Sequence, residues 1–327
     1  MRAALITEPG KPEVLRLQEI EDPIVGADDV MVEVKASALN RADLAQRQGN
    51  YPSPPGIRGD VPGLEFSGVV MQVGARAIGV KEGDRVFGLL GGGGYATRIV
   101  THHRMAMPMP ANLDFAQAAA VPEVFFTAYD ALFNHCGLKM GERVLIHAAG
   151  SGIGTAAIQL AHNTGAHTFG TAGTDEKLAS AANLGLDETI NYRNQDFAQV
   201  IQERTKGDGV NVILDVVGAP YWEANLSSLA VNGRLVLVGT LGGANVETSL
   251  GRLMPKRLSI HGTVLRPRPL EEKIALTNQF KNHVLPLIAQ GRIKAVVDRT
   301  FPLADASLAH EYMETNANFG KIVLTMD

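Results

Sequence analysis

The sequence predicts an α/β protein, a doubly wound parallel sheet joined to a second, β-rich domain. Two observations predict it. Residues from about 122 to 262 alternate short apolar runs with helical patterns, and residues 1 to about 120 are strand-like and punctuated by glycine and proline. Strand–helix alternation argues for a parallel sheet covered on both faces. The 327 residues suffice for two domains with cores of their own.

In the first region, Val30 to Val34 alternates in polarity, and Gly68 to Val73 and Asp84 to Leu90 are short apolar stretches. Pro52, Pro54, Pro55 and Pro62 stiffen a long loop, and Gly91 to Gly94 forms another before Tyr95 to Val100 resumes a strand pattern. In the alternating region, strands are expected at 143–147, 166–170, 188–190, 211–215 and 234–238. Near the C-terminus, Lys273 to Gln290 reads as one helix, and Val296 to Phe301 and Ile322 to Thr325 as strands that return to the first domain. The domains are therefore expected to be 1–121 together with 266–327, and 122–265.

The most informative stretch is Glu142 to Ala157 (ERVLIHAAGSGIGTAA). Val144 to Ile146 reads as a buried strand, and Ala148 to Gly154 as a tight turn of small residues. A helix is expected from Thr155. Strand, glycine turn and helix start together make a phosphate cradle, because free backbone N–H groups and the helix dipole face an anion. The dinucleotide fingerprint G-x-G-x-x-G is present only as a variant, with Ala149, Ser151 and Gly154 at its three places. Gly150, Ser151, Gly152, Ile153 and Gly154 are the candidate cofactor contacts. A generic glycine-rich turn is the alternative for the loop taken alone.

The next strand decides which dinucleotide fits. A free ribose 2′-hydroxyl usually meets an acid at the end of this strand. Here the strand runs into Thr171, Ala172, Gly173 and Thr174, and Asp175 and Glu176 belong to the next helix start. Lys177 and Tyr192 follow as ligands for a 2′-phosphate, the alternatives being a solvated lysine and a packing tyrosine. The expected cofactor is NADP(H). Ligands of open parallel sheets lie beyond the carboxyl ends of the strands, which adds 215–218, with Val217, and 239–243 to the cofactor's border.

Net charge is −4, pI near 6.2 and aromatic content 6%, so no general attraction to nucleic acid or to an anionic membrane is expected. No apolar run spans a bilayer, and MRAALITEPG reads as a first strand rather than a signal peptide. The one cysteine, Cys136, excludes an intrachain disulfide and a multi-cysteine zinc site. A cytoplasmic location is the default expectation.

Ordered blocks along the whole chain resemble the zinc-independent quinone oxidoreductases of the medium-chain dehydrogenase/reductase superfamily, the zeta-crystallin type, and within it the tumour-suppressor-inducible branch. The blocks are Asn40-Arg41-Ala42-Asp43, Gln46 to Pro52, Pro54-Pro55-Gly56, Gly63 to Gly68, Gly83-Asp84-Arg85-Val86 and Ala118 to Glu123. The cofactor loop, Lys177, Asn191-Tyr192 and Asn318-Phe319-Gly320-Lys321 complete them. The resemblance implies a Rossmann domain plus a GroES-like catalytic domain. It also implies hydride transfer from NADPH to a quinone without a metal. Where zinc-dependent relatives carry ligands, this chain has Asn40, Leu64 and the region of Pro122-Glu123. His102 and His103, adjacent in a strand, are expected to point apart at the surface.

The resemblance carries Tyr51 as the polar group near the acceptor, where a phenol donates to a developing oxyanion. Its alternatives are loop packing with the hydroxyl in solvent and contact with the cofactor alone. Asn40 is either a ligand of the nicotinamide ribose or acceptor, or a turn residue. Asp43 either orients the same region or pairs with Arg41. Thr127, Val238, Gly239 and Leu241 are implied to line the nicotinamide, with helix packing the alternative for Thr127, and Val264, Leu265 and Arg266 to lie near the carboxamide end or the dimer seam. Lys321 is either a contact of the adenine-side phosphates or a plain terminal lysine. The first alternative activity is reduction of an activated C=C bond in an enone, alkenal or enoyl thioester, the last wanting a basic handle site, for which Arg252, Lys256, Arg257, Arg266 and Arg268 are candidates. Another class is a non-catalytic RNA-binding or crystallin-like protein. A homodimer is expected through Leu258 to Val264, whose pairing hides a strand edge.

Overall fold

The computed structural model describes residues 1–326, which divide into two compact units, 1–126 with 265–326, and Thr127–Val264. The chain opens with β1 (Arg2–Ile6), β2 (Leu15–Glu19), β3 (Asp29–Ala38), α1 (Arg41–Arg47), β4 (Glu65–Val73), β5 (Arg85–Leu89), β6 (Arg98–His102), β7 (Met107–Pro108), α2 (Phe115–Ala119) and α3 (Pro122–Tyr129). The second unit then holds β8 (Arg143–Ile146), α4 (Gly152–Thr164), β9 (His167–Ala172), α5 (Asp175–Ala182), β10 (Glu188–Asn191), α6 (Phe197–Arg204), β11 (Val210–Asp215), α7 (Trp222–Ser228), β12 (Leu229–Leu237) and β13 (Ser259–Gly262). The return to the first unit adds α8 (Leu270–His283), α9 (Leu285–Ala289), β14 (Val297–Pro302), α10 (Ala306–Glu314) and β15 (Lys321–Thr325).

The first unit is built on a seven-stranded sheet of order β14-β15-β3-β4-β5-β7, with β6 also on β3. Alternation along β3 puts Val30, Val32 and Val34 inside, against Phe66, Val70, Val86 and Ile99. A β1–β2 hairpin lies apart from this sheet and packs with α10 in a second cluster that includes Leu39, Tyr95, Met313 and Ile322.

The second unit is a six-stranded parallel sheet of order β10-β9-β8-β11-β12-β13. In unit-local terms this is 3-2-1-4-5-6, with the order reversing between β8 and β11. The central strand β8 is buried on both faces, as its apolar run Val144, Leu145 and Ile146 requires.

Four expectations from the sequence are corrected. The helix after the glycine turn begins at Gly152, not Thr155, because Ser151 caps it. The single helix over 273–290 is two, α8 and α9, since Pro286 has no N–H to continue the ladder and opens a new helix instead. The rings of His102 and His103 do not point apart. They stack with centroids 4.7 Å apart, because the strand ends at His102 and a 3-10 turn begins at His103. Arg41 is not the partner of Asp43; its guanidinium donates to Asn316 Oδ1.

Candidate active site

In the second unit, the turn from β8 into α4 is wound tightly. Ala148 sits at φ 53°, a conformation uncommon for a residue with a Cβ. Ser151 Oγ accepts from the Gly154 amide at 3.0 Å and so caps the helix. By the geometry of a helix start, the Gly152 and Ile153 amides have no intrahelical acceptor. A Cβ on Gly154 would lie 2.3 Å from the Ala148 carbonyl oxygen, so only glycine lets the helix close against the turn. Gly150 is buried at its base.

The tip of β9 stands beside this turn. Ala149 N donates to Thr171 O at 2.8 Å. Thr174 caps α5, its hydroxyl accepting from Lys177 N at 3.3 Å. Gly173 lies against Tyr192, where a Cβ would stand 2.6 Å from the phenol oxygen and 3.3 Å from Arg193 Nε. Tyr192 and Arg193 are both exposed. The structure thus gathers Gly173, Thr174, Tyr192 and an additional cation, Arg193, which the sequence reading missed although it follows Tyr192 directly.

The carboxyl ends of β11 and β12 complete the rim. Asp215 Oδ1 accepts from Val217 N at 2.6 Å and Gly218 N at 3.2 Å, while Val238 N donates to Asp215 O at 2.9 Å. Behind them lies a fully buried chain that sequence reasoning also missed. His147 bonds Thr171 Oγ1 at 3.0 Å and Asn225 Oδ1 at 2.8 Å, and Asn225 Nδ2 donates to Asp215 Oδ2 at 2.9 Å. Burial pulls the His147 pKa below its ordinary value, so the imidazole is neutral here. Gly239 is half-buried and Leu241 is 63% exposed at the same end, and Thr127 is half-buried on α3.

The first unit holds a second polar cluster. Asn40 and Asp43 form a capping box at the start of α1, with Asn40 N donating to Asp43 Oδ2 at 2.8 Å. Asp43 is fully buried and also accepts from Gly63 N at 2.9 Å and Tyr95 Oη at 3.3 Å. Burial raises its pKa to about 6, against the pull of those amides and of Lys321. Behind Tyr95, His310 Nε2 stands 3.2 Å from the phenol and its Nδ1 3.3 Å from Arg47 Nη1. An arginine only donates, so His310 Nδ1 accepts and Nε2 carries the proton.

Lys321 is 3% exposed, and Nζ donates to Leu39 O and Asn40 Oδ1 at 2.6 Å and pairs with Glu65 Oε1 at 2.8 Å. This corrects the expectation that it reaches the cofactor's phosphates: its three protons are committed inside the first unit. It also orients Asn40. Lysine has no acceptor, so Oδ1 faces Lys321, and the Asn40 amide donates to Glu65 Oε1 at 2.9 Å and Ala38 O at 3.3 Å. Glu123 N donates to Glu65 Oε2 at 2.8 Å, and desolvation, then Glu65, raises the Glu123 pKa to about 8.

Tyr51 is half-buried on the proline-rich loop, with its ring under the Arg266 guanidinium, 5.0 Å from Cζ to centroid. Burial chiefly, then Glu123, raises its pKa, so the phenol stays protonated. Leu265 is buried in the first unit. Of the other basic candidates, Arg252 pairs with Glu223, Lys256 Nζ bonds the Ser227 and Leu229 carbonyls, and Arg257 bonds Asn232. They are tied down rather than grouped as a handle site.

A 3-2-1-4-5-6 parallel sheet with a glycine cradle at its first strand is a dinucleotide-binding unit. Comparison with known proteins agrees. Residues 26–111 match the alcohol dehydrogenase GroES-like domain and residues 152–289 the zinc-binding dehydrogenase family. Quinone oxidoreductase 1 of Escherichia coli (strain K12) is 35% identical over 324 residues, covering 96% of each chain. The crystal structure of Escherichia coli quinone oxidoreductase complexed with NADPH superposes with a TM-score of 0.90 at 33% identity over the whole of both chains. The CurK enoyl reductase structure gives 0.89 at 30%, covering 100% of this chain and 99% of that one. The chain belongs to the zeta-crystallin-type quinone oxidoreductase family of the medium-chain dehydrogenases/reductases. The zinc in one family description finds no donor set: among the described residues no group of three or more His, Cys, Asp or Glu is placed to hold a metal ion. The cation between Asn40 and Glu65 is Lys321.

Proposed function

We propose that this protein reduces quinones with NADPH. The observation that carries the proposal is the tip of β9, where Gly173 and Thr174 are followed by Lys177, Tyr192 and Arg193, and where the nearby carboxylate of Asp175 is engaged by Asn191 Nδ2 at 2.7 Å. A ribose 2′-phosphate fits there and a free 2′-hydroxyl loses its usual acidic partner. The Gly152 and Ile153 amides and the Ser151 hydroxyl hold the diphosphate, with Gly150 and Gly154 giving the backbone room. Thr127, Val217, Val238, Gly239 and Leu241 border the nicotinamide half. When bound, NADPH supplies the hydride.

The first unit's residues serve the acceptor. Tyr51 donates a hydrogen bond to the acceptor oxygen on which negative charge develops. Asn40 borders the ribose or the acceptor, and Asp43 fixes the Asn40 backbone through the capping box. Quinones are already electrophilic, so positioning and one hydrogen bond meet most of the demand.

Similarity to an enoyl reductase supports a second reading, reduction of an activated C=C bond. The engaged state of Arg252, Lys256 and Arg257 argues against an enoyl thioester with a large acidic handle. NADPH oxidation over a panel of quinones and short enones, with NADH in parallel, tests both. Preference for NADPH with naphthoquinone turnover supports the proposal, and turnover of enals alone replaces it.

The reading extends to assembly and place. β13 is an edge strand, and a second copy pairing there would form one continuous sheet and cover the edge. A monomer by light scattering at micromolar concentration overturns the homodimer. No helix among the described residues is long and apolar enough to cross a membrane; a cytoplasmic quinone reductase is the matching assignment, checked by fractionation.

A further inference from the structure

Arg266 is the second residue after the chain re-enters the first unit, and it is 4% exposed. Its guanidinium spans three segments. Nε donates to Gly91 O at 2.8 Å, Nη1 to Tyr51 O at 3.4 Å, and Nη2 to Gln46 Oε1 at 2.7 Å and Ser53 Oγ at 2.8 Å. Its plane covers the Tyr51 ring. All four acceptors are neutral. A buried guanidinium without a bound carboxylate carries a desolvation cost that a neutral strut would avoid. Its planar fork reaches several acceptors at once while stacking on an aromatic face, which a lysine cannot do.

The floor under this contact is fitted to it. Gly92 lies at φ +149°, and a Cβ there would stand 2.8 Å from Ile57 Cγ2 and 3.3 Å from Arg266 Nη2. The proline-rich loop is therefore seated on the glycine loop at Ile57 and bolted to it at Tyr51 and Ser53.

We propose that Arg266 is a positioning residue for acceptor reduction, locking the Tyr51–Ile57 segment onto Gly91 and Gly92 and so fixing where the Tyr51 hydroxyl stands. This rests on the reading of Tyr51 as the acceptor's hydrogen-bond donor. A displacement of about 1 Å in such a group costs on the order of 100-fold in rate.

The experiment is a double-mutant cycle on the full-length protein with NADPH and a naphthoquinone, reading kcat and KM separately, with melting temperature alongside. Arg266→Lys keeps the charge and loses the fork; it should lower kcat by about 10- to 100-fold, with the KM for NADPH unchanged. Ser53→Ala, a milder change that retains the guanidinium, should give a smaller loss of kcat. In a Tyr51→Phe background both losses should vanish. Losses that multiply with that of Tyr51→Phe overturn the proposal alone, as does an Arg266→Lys enzyme with wild-type kcat. A Tyr51→Phe enzyme with wild-type rates overturns the Tyr51 reading and this proposal with it.

Discussion

Lys321 Nζ stands 2.8 Å from Glu65 Oε1, with the two side chains 3% and 0% exposed. Neither charge has water to fall back on. Removing one partner of such a pair typically costs about 3–5 kcal/mol, whereas removing both is often close to neutral. Lys321→Met should therefore destabilise the protein by roughly that amount, and Lys321→Met/Glu65→Gln should recover most of it. Urea unfolding of the three proteins checks this.

Glu123 gives a pH signature. Its pKa is raised from 4.5 to about 8 by desolvation first and Glu65 second. A carboxyl with a raised folded pKa binds its proton more tightly when folded. Its contribution is complete below the unfolded pKa and is lost as pH rises through the folded one. Stability should fall between about pH 5 and 8 by roughly 2–4 kcal/mol from this group. Glu123→Gln should flatten that slope, as followed by melting temperature against pH.

Cofactor choice should reside at the tip of β9. Lys177→Ala and Arg193→Ala should each raise the KM for NADPH about tenfold, the effect of losing one charge-assisted phosphate bond, and leave the KM for NADH unchanged. Steady-state kinetics with both cofactors reads this. Equal effects on the two would move the phosphate site elsewhere.

Gly154 tests the cradle. A methyl group there meets the Ala148 carbonyl oxygen at 2.3 Å, which backbone cannot yield cheaply. Gly154→Ala should weaken NADPH and NADH alike by at least about 100-fold, following loss of the close backbone approach. Fluorescence titration of the reduced cofactors measures it. Ser151→Ala should cost about 1 kcal/mol through the lost helix cap.

The second unit was largely legible in the sequence because its signals are local. Ile146 to Gly154 contains strand end, turn and helix start within nine residues, and small residues follow the tips of β8, β9 and β12. The helix boundary was misplaced because Ser151 reads as a fingerprint substitution until its hydroxyl is seen on Gly154. The first unit was legible as strands and loops, but its polar cluster was not. Lys321 bonds Leu39 across 282 positions, Arg266 bonds Gln46 across 220, and Tyr95 meets His310 across 215. No periodicity or spacing encodes such partners. Asn40 and Asp43, three positions apart, meet in one capping box, yet Arg41, the nearest cation in sequence, is turned to Asn316.

The first unit is assembled from two stretches separated by the whole of Thr127–Val264. During translation, Glu65 emerges long before the ammonium that neutralises it. Until β15 arrives, the nascent β3–β4–β5 sheet has a carboxylate in its interior and an open side where Val323 and Leu324 will pair with β3. The N-terminal portion should therefore not fold autonomously, and a ribosome-stalled chain ending before Gly320 should remain protease-sensitive across residues 29–90 even after the intervening unit has acquired resistance.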